Sequence, residues 1–122
     1  MSLNEQLNRL LQTFVSGTLD VEGAVLVTTD GLPLASVLGP GVDEDRIAAM
    51  GAAALSMGAR TIGDLQRGTL EQVLLKGSGG YVMLVQAGSE SVLEAYSNED
   101  AKLGLLLYEM KQVAKQIAQI MR

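Results

Sequence analysis

Six carboxylates, Asp20, Glu22, Asp30, Asp43, Glu44 and Asp45, crowd the turns in the first half of the chain. A close carboxylate pair can move protons or hold a cation. Their spacing matches no known metal loop, and each has a plainer duty as turn former, helix cap or solvated charge, so none is assigned to metal or catalysis. Arg60 and Arg67 are the only cations between Arg46 and Lys76, and an arginine can stabilise a transferring phosphoryl group. A cation near a helix C-terminus is equally well explained by the helix dipole, so Arg60 is carried forward as a partner contact and not as a catalytic group. The Gly77-Ser78-Gly79-Gly80 run has the composition of a phosphate loop, but no Gly-Lys-Ser/Thr follows it and a strand, not a helix, comes next. It reads as a hairpin turn. The chain has no Cys and no His, which removes the thiolate nucleophile, the imidazole base, disulfides and the common zinc sites together. The expectation is a protein without catalytic activity, metal or cofactor.

The elements that must position these groups come from one domain spanning residues 1–122, a length that supports a single core. Hydrophobic residues are 48% of the chain and aromatics only 3%, so Leu, Val, Ile, Ala and Met must fill that core. A net charge of -5 argues against a nucleic-acid partner. No signal-peptide pattern opens the chain and no apolar run is long enough for a bilayer. A cytoplasmic location without membrane insertion is expected.

Ser2 and Glu5 make a capping box for an amphipathic helix over Leu3–Val15, its apolar side formed by Leu3, Leu7, Leu10, Leu11 and Phe14. GAVLVTT and LPLASVL form a hairpin about Asp30-Gly31, the first strand buried on both faces and the second, with Pro33, at a sheet edge. Asp43 caps a middle helix reaching to about Gln66. TLEQVLLK, YVMLVQA and SVLEAYS then make an antiparallel meander. A last helix is capped by Ser97 with Asp100, acidic at its start (Glu99, Asp100) and basic at its end (Lys111, Lys115, Arg122). The order α-β-β-α-β-β-β-α implies an α+β fold: a five-stranded antiparallel sheet with helices on both faces.

The middle helix carries no charge between Ile47 and Ala59, and a helix apolar all round needs cover on more than one side. Gly51, Ala54 and Gly58 recur along one side, with Leu55 and Ile62 beside them. Small residues there suggest close approach by another backbone, with Met50 and Met57 as adaptable contact residues.

Four segments, VEGAVLVTTDGLPLAS, AAALSMGAR, LEQVLLKGSGGYVMLV and LGLLLYEMK, stand in order along the chain. Together they resemble the Roadblock / dynein light-chain family, and within it the short bacterial MglB-like regulators of Ras-like GTPases, whose fold is profilin-like. The resemblance implies a homodimer with antiparallel middle helices and third strands paired edge to edge. The interface it implies draws on Ile47, Met50, Gly51, Ala54, Leu55, Met57, Gly58, Arg60 and Thr61 of the helix and Glu71, Val73 and Leu75 of the strand. The expected function is a scaffold that binds and regulates a separate Ras-like small GTPase. Two alternatives are a small-ligand sensor and a structural subunit without GTPase regulation. An arginine at Ala54 or Gly58 is expected to break the interface and spare the fold.

Overall fold

A computed structural model describes residues 1–122. Helix α1 (Leu3–Gly17) begins at Ser2, whose hydroxyl accepts from the Glu5 N–H at 3.2 Å while the Glu5 carboxylate reaches back to the Ser2 N–H, closing the capping box. Strands β1 (Val21–Thr28) and β2 (Pro33–Val37) pair antiparallel. Gly31 turns the hairpin in the left-handed region at φ 92°. Helix α2 (Glu44–Asp64) is capped by Asp43, whose side chain accepts from the N–H groups of Asp45 and Arg46 at 3.1 and 3.3 Å. Strands β3 (Gln72–Gly77), β4 (Gly80–Gln86) and β5 (Ser91–Asn98) form the meander, and α3 (Leu103–Ile120) closes the chain.

The strands lie in the order β2-β1-β5-β4-β3, all antiparallel, with β2 and β3 at the edges. The expected fold class is observed in full. Helices α1 and α3 cover one face, where Leu7, Leu11 and Phe14 meet Leu106, Met110, Val113 and Ile117 over Leu26, Met83, Leu93 and Ala95. The other face carries α2 alone, on a small cluster of Val25, Val27 and Ala48. Strand β1 alternates between the two layers and is buried on both faces, as its unbroken apolar run requires.

One end of the chain departs from expectation. Ser97 and Asp100 do not cap α3: Ser97 is a buried residue of β5, paired with Val21 and Tyr81, and the helix begins only after Lys102, without a side-chain cap. The sheet's long-range pairing extends β5 past the local capping pattern. Asp100 instead donates its N–H to the Asn98 side chain at 2.9 Å in the turn. The charges expected at the two ends of α3 fall outside its first and last turns, so its dipole goes uncompensated by side chains.

Candidate functional site

Register defines the surface beneath α2. Val25, Glu94, Leu84 and Val73 form one row across β1, β5, β4 and β3, and Tyr96, Val82 and Leu75 form the neighbouring row. Over these rows α2 turns inward its smallest residues. A Cβ on Gly51 would run into the Glu94 carboxylate and come within 3.4 Å of Leu84 Cδ2; one on Gly58 would meet Val73 Cγ2 at 3.2 Å and Leu70 Cδ2 at 3.3 Å. The glycines let the helix settle close to its own sheet. The small-residue stripe therefore serves an internal contact, and Gly51, being buried, offers no free surface in this chain. An arginine at Gly58 would have to displace Val73 and Leu70, so the expectation that it spares the fold is corrected; Ala54 is likewise half-buried.

The other expected residues divide by exposure. Met50 and Met57 stand outward at 57% and 64% exposure, with Arg60 and Thr61 also exposed. Ile47 and Leu55 are half-buried along the flanks of the helix. On β3, Glu71 precedes the strand and is exposed, Val73 is half-buried, and Leu75 is 51% exposed. Since β3 is an edge strand, one row of its backbone N–H and C=O groups is unpaired in this chain. Outward Met50 and Met57 together with the open β3 edge make one side of the molecule apolar and unfinished.

The sequence reading passed over Glu94. It is 7% exposed, its Oε1 has no hydrogen-bond partner, and it lies in the central strand beneath Gly51. Burial, with no neighbouring charge contributing, pushes its pKa up to about 7. It lines a cleft of about 220 Å³ with Val42, Ile47, Val82 and Tyr96. The Tyr96 hydroxyl is held by the Gly39 N–H at 2.9 Å, and its ring lies over Gly23, where a Cβ would collide with it. The signal in the sequence was a lone charge inside the apolar strand SVLEAYS. Only the central placement of β5 turns that charge into a buried one.

No group of three or more acidic, His or Cys side chains is arranged to hold a metal ion. No helix is long and apolar enough to cross a membrane. The profile of the Roadblock/LC7 domain matches residues 7–97. An uncharacterized protein of Methanocaldococcus jannaschii is 36% identical over 100 residues, covering 82% of this chain and 87% of the relative. Among solved structures, the Roadblock/LC7 domain from Streptomyces avermitilis superposes with a TM-score of 0.88 at 23% identity, covering 93% of this chain and 96% of its own. The gliding protein MglB from Thermus thermophilus superposes with a TM-score of 0.85 at 18% identity, covering 98% of this chain and 91% of its own.

Proposed function

The chain belongs to the Roadblock/LC7 family, and from that premise we propose that it is a homodimeric scaffold that binds and regulates a separate Ras-like small GTPase in the cytoplasm. The observation that carries this reading is the outer side of α2, where Met50 and Met57 are exposed and the apolar face continues to Leu75 on the open edge of β3. Fully burying one methionine side chain contributes about 1.5–3 kcal/mol. The geometry of an open strand edge beside an uncovered helix suits pairing with a second copy, each helix and edge meeting its counterpart across a two-fold axis. The resemblance of the ordered segments to MglB-like regulators of Ras-like GTPases, with the fold shared with MglB, supports the GTPase as the further partner. The regulation is conformational or positional, acting on a nucleotide held by the partner.

The test places an arginine at Met57, which is exposed and whose replacement leaves the sheet contact intact. Sedimentation should show a dimer for the native chain and a monomer for Met57→Arg, with unchanged circular dichroism. Ras-like GTPases of the source organism, loaded with GDP or a non-hydrolysable GTP analogue, should bind the native dimer with a nucleotide preference and lose binding to the variant. A native chain that stays monomeric and binds neither nucleotide form refutes the proposal.

A further inference from the structure

The cleft beside α2 combines features that a merely structural seam does not require. Glu94, more than nine-tenths buried and lacking a partner at Oε1, is one of its lining residues. Leaving a buried polar group unpaired is unfavourable, and no cation of this chain offsets it: burial is the sole cause of the raised proton affinity of Glu94. The walls are Val42, Ile47 and Val82, with the Tyr96 ring fixed by the Gly39 N–H. Apolar walls suit the methylene stem of a long basic side chain, an aromatic ring suits a guanidinium, and a carboxylate suits its charge. The volume of about 220 Å³ falls below the roughly 300–1,000 Å³ of small-molecule sites, and is of the order of a single side chain.

The position of the cleft is equally informative. Ile47 lies one helical turn from exposed Met50, and Val82 is paired with exposed Leu75 on the edge strand, so the cleft opens into the apolar surface described above. Asp43, Glu44 and Asp45 stand at the same end of α2 against the single cation Arg46. The local balance is acidic and favours a cationic visitor.

We propose that this cleft is a socket for one arginine side chain of a partner protein docked on α2, the guanidinium pairing with Glu94 and stacking on Tyr96. Arginine fits better than lysine because its weakly hydrated, planar head donates two parallel hydrogen bonds to a carboxylate. The socket rests on the reading of α2 as a docking surface, and adds to it the chemistry by which the partner is recognised.

The experiment needs no partner. Butylguanidinium, the head and stem of arginine, is titrated into the native chain while the methyl groups of Ile47, Val42 and Val82 and the Glu94 carboxyl carbon are followed by NMR. Saturable shifts confined to these groups are expected, with the Glu94 titration moving toward lower pH as the cation binds. Neutral butylurea should bind at least about tenfold more weakly. Glu94→Gln should lose the same factor, and Val82→Phe should block the probe by filling the cleft while the carboxylate stays in place. Absence of saturable shifts, or equal binding by butylurea or by Glu94→Gln, overturns the socket. Self-association weakened about tenfold by Glu94→Gln would place the arginine on a second copy and overturn its assignment to a different partner. Because the probe requires neither dimer nor GTPase, loss of the socket and loss of the α2 reading are separately visible.

Discussion

On one face of the sheet, α1 and α3 together bury eight of their residues, while on the other α2 buries only Ala48 and Gly51 of its 21. Strand β1 serves both layers, sending Leu26 to one and Val25 and Val27 to the other. The difference lies in what each helix turns inward. Helices α1 and α3 point Leu, Phe, Met and Ile at the sheet and close-pack there. Helix α2 does the reverse: Ala48 and Gly51 face in, and Met50 and Met57 face out. Small inward residues bring the helix close while contributing little burial, and the large outward ones leave an apolar surface unfinished. One face is closed by large side chains, and the other leaves Met50 and Met57 exposed.

Breaking the closed face should have the largest effect. Leu93→Ala removes a fully buried side chain from beneath α1 and α3 and should lower unfolding free energy by about 2–5 kcal/mol in urea titrations. A loss below about 1 kcal/mol would mean that this layer is not the source of stability.

The open face should instead make stability depend on pH. The folded Glu94 carboxyl titrates at about 7 and the unfolded one near 4.5, so between these values the folded chain holds the extra proton. Stability from this group is therefore complete below pH 4.5 and falls as pH rises through 7, by up to roughly 3 kcal/mol. Urea midpoints across that range should show the decline, and Glu94→Gln should flatten it. An unchanged slope in the variant would assign the dependence to other groups.

A smaller effect compares the two inward glycines of α2. Gly51→Ala drives a methyl group into Glu94 and should destabilise by about 1–2 kcal/mol, despite a helix-propensity gain of roughly 1 kcal/mol. In Gly58→Ala the nearest atoms, on Val73 and Leu70, stand at 3.2 and 3.3 Å, so a shift of a few tenths of an ångström admits the methyl group, and the net change should stay within about 0.5 kcal/mol. Equal losses at both positions would contradict the tight seat over Glu94. The smallest effect on folding is expected from Met57→Ser, which should leave the stability of the isolated protomer within about 0.5 kcal/mol while weakening self-association. If stability drops and association does not, Met57 belongs to the fold and not to an interface.

Local signals in the sequence determined the elements of this protein: the Ser2–Glu5 capping box, the Asp30-Gly31 turn, the Asp43 cap and the alternating apolar strands all stand where their residue types prescribe. Each depends on neighbours a few residues away, which a chain read in order supplies. The family, too, was legible as an ordered set of segments. Tertiary structure alone decided which side of α2 meets the sheet, because Gly51 and Gly58 could equally have admitted a foreign helix. It also overrode the Ser97–Asp100 cap, where pairing with β1 and β4 carries β5 onward to Asn98. And it alone buried Glu94, since a charge in a strand is solvated or stranded according to the partners on either side. One of those partners, Val25 of β1, comes from a distant point along the chain, where local patterning carries no information about burial.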